Sequence, residues 1–261
     1  MSANLNHKAV VSVITVVFNG EKYLEQTIQS VISQNYGAIE YIIIDGGSTD
    51  NSVNIIKRYA ESISYWVSEP DNGIAEAMNK GIGAATGEFV VFIHADDYFV
   101  NEQCLAAAMQ HIDCEHDIFA FDILFGKNLC KKSSRGFSFW FNFRNGIAHQ
   151  GAICRLSFFH EIGKLDTQYK ICMDYDHFLR AYNLGCKAKV IKETLSVMRD
   201  SGISSQTDWP SLMRRFTEER AVHRKNIKNK NIVMLNTLFW PCYIFYRKLK
   251  SMFTVVKVNK T

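Results

Sequence analysis

Residues 10–17 read VVSVITVV and residues 88–97 read EFVVFIHADD. The first is a near-continuous β-branched run, the composition of a strand buried on both faces of a sheet. The second is an apolar strand over Glu88–Ile93 that stops on the turn His94-Ala95-Asp96-Asp97. Between them, Glu21–Gln34 carries Leu24, Ile28, Val31 and Ile32 at helical spacing, and Glu40–Ile44 is a short strand ending at Asp45. The polar turn Asp45–Asp50 caps a helix over Asn51–Ala60, Ser64–Val67 reads as a strand, and Ile74–Ala85 as a helix stopped by Gly87. Further on come a helix over Glu102–Ile112 and a strand over Asp117–Leu124. Strand and helix alternating through short connections predict an α/β fold with a mostly parallel central sheet flanked by helices. In such sheets ligands bind at the carboxyl ends of strands, so Asp45 and the pair Asp96 and Asp97 are expected to converge on one cleft.

After residue 125 the pattern loosens. Phe137–Phe143 is aromatic and irregular. His149–Arg155 reads as a strand, Leu156–Ile162 and Asp174–Leu184 as helices, Lys189–Ile191 and Ser196–Met198 as short strands, and Pro210–Ile227 as a basic helix. Composition is that of an ordinary globular chain, 47% hydrophobic and 21% charged, which excludes disorder, collagen and a simple coiled coil.

Two adjacent carboxylates at a buried strand end repel each other unless a cation sits between them, and their hard oxygens suit Mg²⁺ or Mn²⁺. Alone, the pair could equally be a solvated turn. Its context is more specific. Four ordered segments, VSVITVVFNGEKYLEQTIQSVISQ, IEYIIIDGGSTDNS, SEPDNGIAEAMNKGIGAATGEFVVFIHADD and HQGAICRLSFFHEIGKLDTQYKICMDYDHFLRA, resemble glycosyltransferase family 2 over about residues 9–205. The resemblance implies the GT-A fold, with a catalytic domain over 1–205 (a nucleotide-sugar half to about 125 and an acceptor half to 205) and a basic, helical C-terminal extension over 206–261.

It also implies roles. Phe18 matches the ring beside the nucleotide base, Asp45 the acid that reads the uracil edge, and Asp71 a loop near the nucleotide. Asp96 and Asp97 match the acid pair that touches the ribose and holds Mn²⁺ or Mg²⁺ on the diphosphate of a UDP-sugar. Asp174 matches the general base. His94 stands where the family often has Asp or Asn, and Met173 where it has Glu. One base and one metal suffice for a single displacement that inverts the anomeric centre. Asp174 also reads as a helix cap, Asp176 as a partner of Arg180, His149-Gln150 as either acceptor-side or structural, and Asn79 as a packing residue.

The net charge of +4 conceals two unlike parts. Residues 1–213 carry 18 Lys/Arg and 24 Asp/Glu, whereas residues 214–261 carry 12 Lys/Arg and two acids, Glu218 and Glu219. Basic residues flank the apolar run Ile232–Tyr246, which is short of a bilayer span and reads as an in-plane helix on an anionic membrane, or else as a helix docked on the protein itself. With a saccharide acceptor linked to polyprenyl diphosphate, as the resemblance and the tail imply, the expected place is cytoplasmic, peripheral on the inner face of the membrane. Nucleic acid is not expected as a partner.

The seven cysteines include no C-x-x-C pair and suit a reducing compartment. Ala9–Phe18 lacks a cleavage site and reads as a buried strand rather than a signal segment. Residues 81–87, GIGAATG, run from helix to strand, the reverse of a dinucleotide fingerprint. Two other readings are a nucleotide-sugar-binding scaffold subunit without catalysis and a sugar nucleotidyltransferase. The latter is disfavoured because Val17–Glu21 makes a poor triphosphate cradle.

Overall fold

The computed structural model describes residues 9–258, with the side chains of residues 9–251; the ends of the expected domains at 1–8 and 259–261 lie outside the described residues. In chain order, β1 (Val11–Val17), α1 (Leu24–Ile32), β2 (Ile39–Asp45), α2 (Ser52–Arg58), β3 (Tyr65–Ser68), α3 (Ile74–Ala84) and β4 (Phe89–Phe92) alternate as the sequence predicts. There follow β5 (Tyr98–Phe99), α4 (Cys104–Met109), β6 (Ile118–Phe125), β7 (Cys130–Lys132), β8 (Ala152–Arg155), α5 (Leu156–Ile162), α6 (Met173–Asn183) and β9 (Ala188–Met198). Two helices, α7 (Trp209–Asn226) and α8 (Lys230–Val258), close the described chain.

The strands form one sheet in the order β3-β2-β1-β4-β8-β6-β9-β5, with β7 on β6. β1 to β4 pair in parallel, as do β6 and β9, while β8 runs antiparallel between β4 and β6. Side chains alternate faces along a strand. Val11, Val13 and Val17 therefore join Leu24, Ile28, Ile55 and Leu105 on one side, and Ile14 and Val16 join Met78, Phe158 and Leu179 on the other. Each such buried aliphatic contributes about 1.5–3 kcal/mol.

The short strands β5 and β7 fall outside the expected pattern, and three further segments differ from it. The two short strands at Lys189–Ile191 and Ser196–Met198 are one strand, β9. Its register against β6 slips between Phe121, paired with Ile191, and Asp122, paired with Thr194, so a bulge absorbs the exposed Lys192 and Glu193. β8 starts only at Ala152, because His149–Gly151 forms a 3-10 turn. A Cβ at Gly151 would lie 2.7 Å from the Phe121 carbonyl oxygen, so glycine permits that approach. Within Phe137–Phe143 a 3-10 turn spans Phe139–Asn142.

α7 starts at its cap Asp208, whose side chain accepts from the Ser211 N–H at 3.0 Å, and it buries Val222 in the same core as Ile14 and Leu179. α8 has two unlike faces. One buries Trp240 against Leu212 and Phe216, and the other exposes Met234, Leu238, Phe245 and Leu249. No helix among the described residues is long and apolar enough to cross a membrane.

A polar chain joins α8 to α6. Trp240 Nε1–H donates to His223 Nδ1 at 3.1 Å, which fixes the tautomer. His223 Nε2–H then donates to the Tyr175 hydroxyl at 2.8 Å, and that hydroxyl donates to the Phe141 carbonyl at 2.6 Å. Burial, aided by the charge of Arg144, lowers the His223 pKa from 6.5 to about 4. Native His223 stays neutral while the unfolded chain protonates, so its contribution is complete above about pH 6.5 and is lost as pH falls towards about 4. Urea unfolding at about pH 7 and about pH 5 checks this: the wild type is expected to lose on the order of 2 kcal/mol more between the two than His223→Gln.

Candidate active site

The strand register decides what meets. Val17 pairs with Asp45 and Ile14 with Phe92, so β1, β2 and β4 end on one edge. β8 runs the other way, pairing Ile153 with Val91, and so delivers its start, and His149 just before it, to that same edge. β6 and β9 leave there together, with Phe125 beside Met198. A cleft of about 1540 Å³ opens along the edge, and Phe18, Asp71, Asp96, Asp97, His149 and Asp174 all line it.

Past the ends of β1 and β2, two loops are fastened to each other. The Asn19 N–H donates to Ser48 Oγ at 2.7 Å, the Gly20 N–H to Ser52 Oγ at 2.9 Å, and the Glu21 N–H to Asp50 Oδ2 at 2.9 Å. The Thr49 N–H answers to Asn19 Oδ1 at 2.8 Å, with Asn19 at φ 51°, a conformation asparagine tolerates better than most residues. This brace leaves Phe18 at the lip, 66% exposed.

Asp45 is wholly buried at the end of β2. Its Oδ2 accepts from the N–H groups of Gly47 and Ser48 and from the Ser68 hydroxyl at 2.6 Å, while Oδ1 has no partner. One carboxylate oxygen thus orders the loop and the other is buried without a partner; contrary to the expectation that Asp45 meets the acid pair in the cleft, Asp45 does not line it but stands behind Gly46, which does. A Cβ on Gly46 would come within 2.5 Å of Asp71 Oδ2, so glycine lets the two loops touch. Asp71 Oδ1 in turn accepts from the N–H of Gly73, whose φ of 123° favours glycine.

Asp96 Oδ2 accepts from the Ser201 hydroxyl at 2.7 Å. Asp97 is 2% exposed; its Oδ1 accepts from the Arg199 N–H at 3.3 Å and its Oδ2 has no partner. Burial, and then the charge of Asp96, push the Asp97 carboxyl well above the usual range. A buried carboxylate with a spare oxygen, raised in pKa beside a second carboxylate, fits a hard divalent cation. Such ions take one or two carboxylates and leave other positions to phosphate and water. No three His, Cys, Asp or Glu side chains gather into a closed cage among the described residues.

Asp174 lies in the first turn of α6 rather than at its cap, which is Cys172. Its Oδ1 accepts from the Tyr175 N–H at 2.7 Å, and its Oδ2 accepts from Asn145 Nδ2–H at 3.2 Å and faces His149 Nδ1 at 3.4 Å. His149 Nε2 is 2.7 Å from His94 Nε2. Burial, then the neighbouring His149, hold the His94 pKa well below its ordinary value, so His94 is neutral. An arrangement with His149 Nδ1–H towards Asp174 and His94 Nε2–H towards His149 gives each of the two contacts one donor and one acceptor. His94, at the start of the acid turn, is thereby tied to the candidate base. Asp176 instead binds Arg180 at 3.0 Å and Asn226 at 2.8 Å, and Asn79 pairs with the Leu165 backbone, so both hold helices in place.

Sequence reasoning passed over Arg199 and Asn145. Arg199 bonds the Asp96 carbonyl and Gln26 and lies between the rings of Tyr23 and Tyr98, at 4.3 and 4.6 Å. It immediately follows β9, so the strand-end rule that marked Asp45 and Asp96 could have found it. Asn145 sits in the irregular aromatic stretch, where no periodic signal points to it.

The family model for glycosyl transferase family 2 matches residues 12–178. An uncharacterized glycosyltransferase of Mycobacterium tuberculosis is 29% identical over 253 residues, covering 88% of this chain and 94% of that protein. A PGL/p-HBAD biosynthesis glycosyltransferase of Mycobacterium bovis is 27% identical, covering 66% of this chain and 69% of that protein. Among solved structures, the mannosyltransferase PcManGT of Pyrobaculum calidifontis, in complex with GDP-Man and Mn²⁺, superposes with a TM-score of 0.69 at 18% identity over 94% of this chain and 74% of its own. S. aureus TarS 1-349 in complex with UDP-GlcNAc gives 0.62 at 20% identity over 74% of this chain and 59% of its own. With its braced loops, its acid pair and Asp174 gathered on one sheet edge, the chain belongs to glycosyl transferase family 2 and is a glycosyltransferase of the GT-A fold.

Proposed function

We propose that this enzyme is an inverting, metal-dependent transferase that moves a sugar from a UDP-sugar to a saccharide carried on polyprenyl diphosphate, working peripherally on the inner face of the cytoplasmic membrane in surface polysaccharide assembly. The observation that carries the chemistry is the hydrogen-bonded path from Asp174 through His149 to His94, which sets a base candidate against the Asp96–Asp97 turn.

Phe18 offers an exposed ring to the nucleobase, and Asp45, buried behind Gly46 with Oδ1 unpartnered, would read a base N–H such as that of uracil only if the Gly46–Asp71 contact opens. Asp96 and Asp97 would hold Mn²⁺ or Mg²⁺, whose charge would offset that of the departing diphosphate. Asp174, with a hydrogen-bond donor on each oxygen, takes the proton from the acceptor hydroxyl as that oxygen attacks the anomeric carbon from the face opposite the diphosphate. A single displacement of that kind inverts the centre. The membrane reading is supported by the outer face of α8, where exposed Met234, Leu238, Phe245 and Leu249 lie among exposed Lys230, Lys248 and Lys250. One relative bears the name of a PGL/p-HBAD biosynthesis enzyme.

Release of UDP from a panel of UDP-sugars, with lipid-linked acceptor and Mn²⁺, tests the reaction. Asp174→Asn is expected to lower kcat by about 10²–10⁴ while UDP still binds; full turnover would overturn the assignment. Asp97→Ala is expected to weaken UDP binding by about tenfold or more in Mn²⁺ and to leave binding in EDTA unaltered, as loss of a carboxylate ligand requires. Leu238→Asp with Phe245→Asp is expected to abolish sedimentation with phosphatidylglycerol vesicles, and retained sedimentation would refute the membrane face.

A further inference from the structure

The acceptor side of the cleft carries an excess of positive charge, on two half-buried arginines and an exposed lysine, that the donor chemistry does not use. Arg144, Arg215 and Lys132 all line the cleft, and all come from the second half of the chain. Glu219, 5% exposed, is the acid among them: Arg144 Nη1 donates to it at 2.9 Å, while Arg215 Nε stands 4.0 Å away and has no hydrogen-bond partner. Arg215 otherwise donates to the Ser204 carbonyl at 3.1 Å. Burial and the charges of Arg144 and Arg247 pull the Arg215 pKa down against the opposing pull of Glu219, and burial and Arg215 do the same to Lys132.

The other carboxylates nearby are engaged elsewhere. Glu218 accepts from the N–H groups of Lys170, Ile171 and Cys172, and Asp174 from Asn145 and Tyr175. Several cations facing one buried carboxylate repel one another until an anion enters, and guanidinium forks fit phosphate oxygens two at a time.

Apolar surface begins where the cations end. The Arg144 guanidinium lies 4.8 Å from the centre of the Tyr243 ring, and Tyr243 stacks on Phe239 at 5.2 Å. Phe239 meets Phe143, and Phe143 meets Phe139 and Trp140, which are 50% and 69% exposed. On the other side of Arg144, the next residue is Asn145, which bonds Asp174.

We propose that Arg144, Arg215 and Lys132 form a second phosphate-binding site, separate from the donor's, that takes the diphosphate of a prenyl-diphosphate acceptor. Its hydrocarbon lies over Phe139 and Trp140, and its saccharide falls beside Asp174. The site deepens the lipid-linked acceptor reading above and rests on it.

The test uses the full chain with Mn²⁺ and saturating UDP, so that the donor site is filled, and geranyl diphosphate as the probe, with geraniol as control. UDP binding is measured first; its absence would mean that the donor reading itself fails, whereas UDP binding without geranyl diphosphate binding defeats only this site. Geranyl diphosphate is expected to bind alongside UDP, and geraniol far more weakly. Arg144→Gln and the exposed Lys132→Gln are each expected to weaken the probe by about tenfold, the scale of one charge-assisted hydrogen bond, with UDP affinity retained. Lys132 lies on the exposed strand β7, so its variant answers the question even if changes at the more buried arginines disturb folding. Displacement of UDP by geranyl diphosphate, or equal affinity in the variants, would overturn the proposal. So would a loss confined to phosphatidylglycerol vesicle binding, which would assign the cations to bilayer headgroups.

Discussion

In-register parallel pairing of β1 with β2 and β4 is the constraint from which the cleft follows. Because Val17 sits opposite Asp45 and Ile14 opposite Phe92, three chain segments leave the sheet at one height. A slip of a single residue would turn Ile14 and Val16 to the wrong face, and both cores forbid it. Hydrophobic register therefore fixes the position of polar chemistry. The antiparallel β8 extends this logic to the second half of the chain, because reversing one strand brings the start of that strand, with His149, to the edge where the others end.

The cleft is also where the protein leaves polar groups unsatisfied. Five buried side-chain atoms lack a hydrogen-bond partner among the described residues, and Asp45 Oδ1, His94 Nδ1, Asp97 Oδ2 and Arg215 Nε, four of those five, lie in the cleft or directly behind its wall. Each such group costs about 1–3 kcal/mol when buried without a partner. That cost is recoverable on binding, which makes the distribution informative. On the proposed reading, the orphan at Asp97 serves a cation and the one at Arg215 an anion, so the two ends of the cleft would take ligands of different charge.

The first part of the chain is legible because its signals are local. A β-branched run, helical spacing and acids placed just past strand ends locate β1 to β4, Asp45, Asp96 and Asp97 without reference to anything distant. The part after residue 125 depends on partners far apart in sequence. His94 and His149, 55 residues apart, meet at 2.7 Å, and neither residue's neighbours hint at it. β9 looked like two strands because Lys192 and Glu193 break its apolar pattern, and only the partner strand β6 shows them to be a bulge. Of the two readings of the tail, the structure shows the docked helix: α8 packs through Trp240 and keeps a separate apolar face outward, a division that net hydrophobicity along the chain does not resolve.

The path from Trp240 through His223 to Tyr175 makes the last helix more than an appendage. Tyr175 follows Asp174 directly, and its N–H holds Asp174 Oδ1. The seating of α8 and the setting of the carboxylate therefore meet in one residue, the first through its hydroxyl and the second through its N–H. Any coupling free energy carried through Tyr175 is reciprocal. What a contact on the outer face of α8 lends through it to a ligand beside Asp174, that ligand returns to the seating of the helix.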